Sequence, residues 1–360
     1  MIFRNALLRE LAAAAAATFF VLLGIVITML LVRLLGQAAS GVITTAGVAA
    51  LMGFATLNYL PVLFSLTLFI SVLMTLTRSY RDSEMVVWFS CGMSITEWIR
   101  PVLTFAVPVV LIIAILSLVL SPWAVNSSEE LRRQMDSRDE VSTVSPGVFR
   151  ESRQAQRVYF VEEVSGAANL VANVFVSSVQ HGKQGVMVAA RGFQETVENG
   201  DRFLVLQNGW RYEGEPGSAE YKIYEFQRYA MRVESFDGRA QRAPTTKTMG
   251  TLDLLRDPKP PNLAELSWRI GLPASALILT LLAIPLSFVN PRAGRSMNLV
   301  LALLVYMTYN NLLSITQASI AQSRIPLAVG LLGVHAVMLA LLAALFYRRL
   351  MVFSLFRLAR

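Results

Sequence analysis

Residues 83–94 read SEMVVWFSCGMS and stand between two long apolar runs of the chain. A short connection is normally polar, yet here one carboxylate is followed by Met, Val, Val, Trp and Phe. Ser83 suits a helix N-cap, Glu84 suits the first turn of a helix dipole, and Gly92 suits a helix end. The stretch therefore predicts a short helix over 83–92 between two membrane spans.

The apolar residues of this predicted helix define a face. Met85, Trp88 and Phe89 follow the i, i+3, i+4 spacing of one helix side. Such a helix either rests in the lipid headgroups or forms the buried centre of a contact with another protein. We favour the second interpretation, a coupling helix that fits a groove on a separate motor subunit. Glu84 then lies at the groove's rim, and Arg81 belongs to the same candidate set.

The composition places the surrounding chain in a membrane. Of its 360 residues 54% are hydrophobic and only 16% are charged, whereas soluble domains are about 25% charged. A bilayer-spanning helix needs about 20 apolar residues. Six stretches meet that length, and they are 11–32, 54–77, 101–125, 270–289, 297–317 and 325–347.

The distribution of basic residues predicts the orientation. Residues 126–267 hold 18 basic and 20 acidic side chains, which leaves 14 and 4 of the chain's 32 and 24 for the span-rich parts. Eleven of the arginines beside the spans fall on one side of the membrane, and only Arg33, Arg269 and Arg324 on the other. Lys and Arg concentrate on the cytoplasmic side, so both termini are predicted to be cytoplasmic. This pattern indicates topology control and argues against a nucleic-acid partner.

Residues 126–267 form a predicted extracytoplasmic insert. It begins with SSEELRRQMDSRDE (127–140), which indicates a charged helical stem, and ends with 257–261, DPKPP, which predicts a stiff extended return. Between them, Val-, Phe- and Tyr-rich segments alternate with turn clusters, as in an antiparallel sandwich or rolled sheet. The segments are VSTVSPGVF, RVYFVEE, LVANVFVSSV, GVMVAARGF, RFLVLQNGWRYEG and EYKIYEFQRYAMRV.

The sequence carries no pattern of an enzyme. His181 is the only histidine of the insert, so metal-ligand spacing is not available there. No G-x-x-x-x-G-K-[ST] loop is present, so the chain is not expected to hydrolyse ATP itself. The single cysteine, Cys91, excludes an intrachain disulfide and is predicted to be a small buried hydrophobe.

Five stretches together resemble one family. They are DSEMVVWFSCGMS, MIFRNALLRE, VSPGVF, and PLSFVNPRAGRSMN leading into LVYMTYNNLL. Their order, with three spans, a β insert and three spans, is similar to the LptF/LptG permeases of the lipopolysaccharide exporter, and the F form is closer. The chain departs from the family at Phe89, Ser90 and Cys91, where small residues are common.

The resemblance implies a fold and an assembly. The fold is an α-helical membrane protein with six transmembrane helices and an extracytoplasmic all-β jellyroll-like domain between helices 3 and 4. The implied domains are 1–125, 126–267 and 268–360. The implied partners are a second, homologous permease, a dimeric cytoplasmic ATPase that binds ATP and Mg, a single-span periplasmic jellyroll protein and lipopolysaccharide. The implied location is the bacterial inner membrane, and no cofactor is expected in this chain.

The resemblance also suggests site residues in the spans. Arg33 and Arg324 are candidates for binding the phosphorylated lipid head group, with an interface anchor as the alternative, and Arg269 is predicted to be an anchor. Tyr306, Tyr309 and Asn310 share a face of the fifth span. They are candidates for a lateral gate, or else make a static interhelical hydrogen bond.

Two further residues receive predictions. His335, in the sixth span, is predicted to be a satisfied interior group. Arg211, on a predicted strand, lies either at the mouth of a groove or at a solvated edge, and the sequence favours the edge. Two other functions remain open, a permease of another ABC-type lipid or lipoprotein exporter and a membrane-anchored periplasmic ligand-binding scaffold.

Overall fold

The structure, a computed structural model, describes most of the chain. The described residues are 2–40, 43–142, 149–152, 157–165, 170–180, 183–196, 202–214, 221–234, 245–288 and 297–350. They fall into two compact units, one of residues 1–135 and 244–360 and one of residues 136–243. The first unit is helical and the second contains a sheet.

The helices are longer than the predicted spans, because each apolar stretch continues into polar ends. α2 has 37 residues, which is about 55 Å of helix against about 30 Å of hydrocarbon. In chain order the helices are α1 (Ile2–Ala39), α2 (Thr45–Arg81), α3 (Glu84–Ser90), α4 (Ile99–Ile115), α5 (Ser121–Ser142), α6 (Thr251–Arg256), α7 (Pro260–Leu286), α8 (Met297–Ala321) and α9 (Leu327–Leu350).

The stretch from Ile95 to Ser142 is one continuous helical run that includes two irregular turns. A 3-10 turn, Ile95–Trp98, precedes α4, and a π turn, Leu116–Leu120, joins α4 to α5. α5 confirms the predicted helical stem. Since the stem continues a membrane helix, residues up to 135 pack with the helical unit.

The centre of the helical unit is formed by α2 and α7. Phe69, Val72, Leu279 and Leu282 are fully buried there and pack in one cluster with side chains from α1, α3, α4, α8 and α9. Lipid tails are as apolar as leucine, so close packing rather than exclusion from water holds such helices together.

Five helical stretches among the described residues are long and apolar enough to cross a membrane. They are Asn5–Ala39, Thr45–Arg81, Ile95–Met135, Pro260–Leu286 and Leu327–Leu350. α8 has 25 residues but is not one of the five, and it carries the tyrosines and asparagines noted above. A helical membrane protein with several spans is therefore confirmed, whereas the count of six stays a prediction.

The second unit contains a six-stranded antiparallel sheet. Its strands are β1 (Arg150–Ser152), β2 (Arg157–Ser165), β3 (Leu170–Gln180), β4 (Lys183–Thr196), β5 (Arg202–Gly214) and β6 (Tyr221–Glu234). They neighbour one another in chain order. An antiparallel sheet inserted between helices is thus confirmed, but the described strands show no crossover of the jelly-roll type, and the jellyroll stays a prediction.

One buried cluster lies on the sheet between β3 and β6. It contains Val174, Val176, Met187 and Leu206, with Phe226 packed against it. Gly209 is required beside this cluster, since a Cβ there would lie 2.2 Å from the carbonyl oxygen of Val188 and 2.7 Å from the ring of Phe226.

Two local predictions at the ends of the insert are wrong. The segment predicted as its first strand, 141–149, begins inside α5, which continues to Ser142; residues 143–148 lie outside the described residues. The return at 257–261 is extended only at Asp257–Lys259, because Pro260 and Pro261 occupy the first turn of α7. Proline suits that position, as its missing N–H needs no partner there.

Candidate functional site

The helix predicted over 83–92 is present as α3. Its end is a Schellman arrangement, in which Gly92 N–H donates to the Phe89 carbonyl and Met93 N–H donates to the Trp88 carbonyl. Gly92 has φ +87°, which explains the glycine. Its start differs from the prediction, because Ser83 has φ 60° and makes no side-chain cap.

The outward face of α3 agrees with the predicted one only at Phe89. Met85 is 2% exposed and belongs to the helical core, and Trp88 packs against that core. Val86, Val87 and Phe89 are 66%, 61% and 39% exposed. Met85 and Trp88 therefore anchor α3 to its own chain, and Val86, Val87 and Phe89 are available to a partner. Cys91 is also exposed, contrary to prediction.

Charged residues connect α3 to α1 and α2. A guanidinium nitrogen of Arg78 lies 3.5 Å from a carboxylate oxygen of Glu84 and 2.5 Å from one of Glu10 on α1. Arg81 lies 3.5 Å from Asp82. The Glu84 carboxylate thus has a basic partner within the chain, and Arg78 ties α1, α2 and α3 together at one end.

A chain of aromatic contacts runs from α3 to α9, and the sequence analysis did not find it. Tyr80 contacts Phe89 at a ring distance of 6.3 Å and Phe288 at 5.4 Å. The guanidinium of Arg349 lies 3.8 Å from the Phe288 ring centre, within cation–π range. Aromatic residues close to span ends were the available signal, but their partners are far apart in sequence.

Tyr306 and Tyr309 of α8 point into the bundle. The Tyr309 hydroxyl is buried and lies 2.5 Å from Nδ1 of His335 on α9. Asn310 donates to the Tyr306 carbonyl at 3.1 Å, within its own helix. His335 is therefore satisfied at Nδ1, whereas its Nε2 has no hydrogen-bond partner among the described residues. In this conformation Tyr309 makes the static interhelical bond, and its gate role stays a prediction.

Three helices expose apolar stripes to their surroundings. On α8 the stripe is Val300, Leu304, Met307 and Ile315. α1 exposes Phe20, Val21, Ile25, Met29 and Val32, and α9 exposes Val329, Leu332 and Val337. Side chains of this kind face lipid or another membrane protein.

The basic residues beside the spans differ in their environments. Arg33 on α1 and Arg324 after α8 are exposed and form no ion pair with any described residue. Arg269 is 2% exposed and pairs with Glu265 at 3.0 Å. The anchor prediction for Arg269 is therefore wrong, since its guanidinium is enclosed by protein instead of reaching outward.

Arg211 lies on β5, between β4 and β6, so the prediction of a solvated edge is wrong. Its guanidinium donates to the Tyr229 hydroxyl at 2.5 Å and to Glu213 at 2.9 Å. It also lies 5.6 Å from the centre of the Tyr229 ring. The arginine is half-buried on the same face as Met187, its partner in the β4–β5 register.

The other face of the sheet carries a row of large apolar side chains. Phe160, Phe175, Val188 and Trp210 are direct cross-strand partners from β2 to β5. They line an apolar groove of about 490 Å³. Phe149 also lines this groove, and the centre of its ring lies 4.7 Å from that of Phe160. This volume falls in the range of ligand sites. Trp210 is 48% exposed, so the groove is open to a ligand.

The described part of the two units shows no metal centre. The described residues contain no group of three or more His, Cys, Asp and Glu side chains able to hold an ion. His181 lies outside the described residues. The main surface features of the described residues are an exposed apolar helix, apolar stripes and an apolar groove, and surfaces of this kind suit contacts with proteins and lipids.

Comparison with known proteins shows the family of this chain. The profile described as "Lipopolysaccharide export system permease LptF/LptG" matches residues 5–348. The chain belongs to the LptF/LptG family. The chain is 28% identical over 312 residues to the LptF proteins of Escherichia coli K12 and of Shigella flexneri, covering 86% of this chain and 84% of each relative. Both are the F form, which the sequence motifs favoured.

Membership of the LptF/LptG family confirms the main prediction. A permease of the lipopolysaccharide export system is a transport subunit, and the apolar helices make this one a multi-pass inner-membrane protein.

Proposed function

We propose that this LptF/LptG permease extracts lipopolysaccharide from the inner membrane and passes it to a periplasmic jellyroll bridge, driven by a separate cytoplasmic ATPase. The observation that carries this proposal is the open row of Phe160, Phe175, Val188 and Trp210 across the sheet. Each acyl CH₂ exposed to water costs about 0.8 kcal/mol. An apolar groove of this kind removes that cost for a lipid that leaves the membrane.

The proposed topology has six spans, with α8 as the fifth, and both termini in the cytoplasm. Its support is the excess of arginine beside one set of helix ends. The sheet unit is then periplasmic and α3 is cytoplasmic. We further propose that the sheet closes into the jellyroll-like form of the family.

The ATPase docks, in this proposal, on the exposed residues Val86, Val87 and Phe89 of α3. A compact apolar patch rimmed by charges is the usual centre of a protein interface. Glu84 and Arg81 form the rim. ATP and Mg bind in the ATPase, and this chain is a non-catalytic subunit without a cofactor.

The second permease packs against the apolar stripes of α1 and α8, and this pairing encloses the lipid. Arg33 and Arg324 are exposed cations that suit phosphate groups of the lipid head. Tyr306, Tyr309 and Asn310 then belong to the helix that moves when the seam opens.

The periplasmic jellyroll partner adds to a free edge of the sheet. Among the described strands β6 is last in the order and has 14 residues, and an exposed edge of this length is a template for strand addition. Ile223 and Tyr224 on β6 are 64% and 49% exposed, which supports a contact there.

A photo-crosslinker at Phe175 tests the proposed lipid path. With the whole transporter in cells, we expect ATP-dependent capture of lipopolysaccharide at Phe175. The matched control is a crosslinker at Leu255, an exposed apolar position on α6 of the helical unit that does not line the groove, where capture is expected to be at least fivefold weaker. Capture that ignores ATP, or equal capture at both positions, would contradict the proposal.

A further inference from the structure

The buried guanidinium of Arg269 on α7 uses all of its hydrogen-bond donors. Arg has five N–H groups in a planar fork, and here each has an acceptor at 3.0–3.3 Å. The acceptors are Glu265 Oε1, Thr251 Oγ1 and the carbonyl oxygens of Thr246, Lys247 and Met249. Arg269 therefore holds the segment 245–251, through which the chain returns from the sheet unit.

Two further bonds join this arginine to the π turn at Leu116–Leu120. The Thr251 hydroxyl donates to the Leu118 carbonyl at 2.5 Å, and the Ser117 hydroxyl donates to the Arg269 carbonyl at 3.0 Å. The π turn leads into α5, the helix that carries the chain out to the sheet unit. Isolated π turns are often found at functional sites.

A third connection reaches α8. The second carboxylate oxygen of Glu265 accepts a bond from the Gln317 side chain at 3.4 Å. This bond is the longest in the polar node, which we define as Arg269, Glu265, Thr251 and Gln317. Hydrogen bonds weaken with length, so Gln317 is the link that breaks first when α8 moves.

We propose that the polar node couples the movement of α8 to both chain segments that connect the helical unit to the sheet unit. This inference rests on the proposed function, in which α8 borders the opening for lipid. A movement of α8 changes the hydrogen bond between Gln317 and Glu265. Arg269 then transmits the change to the return segment and, through Thr251, to the π turn before α5.

The node suits this role because its inner part is rigid. The Glu265 and Arg269 side chains are 10% and 3% exposed, and separating such a buried pair is unfavourable. Arg269 and the return segment therefore move together, whereas Gln317 is able to engage and release. Gln317 and Glu265 are positioning residues, since neither lines the groove that holds the lipid.

The variant Gln317→Glu tests the coupling. It places a second carboxylate against Glu265 and replaces an attraction by repulsion at a partly buried site. In the intact transporter we expect capture of lipopolysaccharide at a Phe175 crosslinker to fall at least fivefold, while the ATPase rate stays within about twofold. Gln322→Glu is the matched control, because Gln322 is exposed in the turn after α8.

The double variant Glu265→Gln/Gln317→Glu distinguishes coupling from local damage. The exchanged amide at 265 accepts from Arg269 and donates to the carboxylate at 317, so capture is expected to recover. Unchanged capture in Gln317→Glu overturns the inference, and so does a loss that the double variant fails to restore. Absence of ATP-dependent capture in the unmodified transporter overturns the proposed function itself, and is thus a separate result.

Discussion

Replacing Val87 by aspartate is expected to separate the permease from the proposed ATPase partner. Val87 is 61% exposed on α3, so the substitution leaves the fold intact and puts a carboxylate at the centre of the proposed apolar contact. An interface hot spot contributes about 2 kcal/mol or more, which is roughly 30-fold in affinity. The measurement is ATPase retained on the tagged permease after mild detergent extraction.

Two control variants distinguish a loss of docking from a general effect of charge and from a loss of folding. Thr96→Asp places the same charge on an exposed residue outside α3, and normal retention is expected. Met85→Ala removes a buried core side chain, which is expected to lower the free energy of unfolding by about 2–5 kcal/mol. The yield of folded permease is therefore expected to fall. Normal ATPase retention in Val87→Asp would refute α3 as the docking element.

The largest effect on stability is expected from Arg269→Ala. The change leaves the Glu265 carboxylate buried without its cation and removes the donors of three carbonyl groups. Removing one partner of a buried ion pair costs about 3–5 kcal/mol. The transition temperature of the purified permease in detergent is the measurement, and a clear decrease is expected.

Arg324→Ala serves as the control for this stability prediction. Arg324 is exposed and forms no ion pair with the described part of the chain, so its loss is expected to change the unfolding free energy by less than about 0.5 kcal/mol. Equal transition temperatures for the two variants would show that the polar node contributes little to the fold.

Several features followed from the sequence because their causes are local. Apolar runs of span length predicted membrane helices, and Gly92 predicted the end of α3. Turn clusters separated the segments that form β2 to β6. These signals depend on neighbouring residues alone, so no knowledge of tertiary contacts was needed.

The sequence failed where two choices look alike locally. On α3, Val86 and Val87 are as apolar as Met85 and Trp88, so periodicity did not show which side faces the core. A single arginine near a span end resembles an interface anchor, and Arg269 differs mainly through partners about twenty residues earlier in the chain. The aromatic contacts from Phe89 to Arg349 likewise join four separate elements.

The sequence by itself determined the class of the protein: a chain of membrane helices with an inserted sheet and an amphipathic helix between two spans. Only the tertiary structure decided which face of α3 is free, which arginine is buried and which side of the sheet holds the open row of Phe175 and Trp210. The physical reason is that hydropathy records how apolar a residue is. Burial and pairing depend on partners that folding brings from distant parts of the chain.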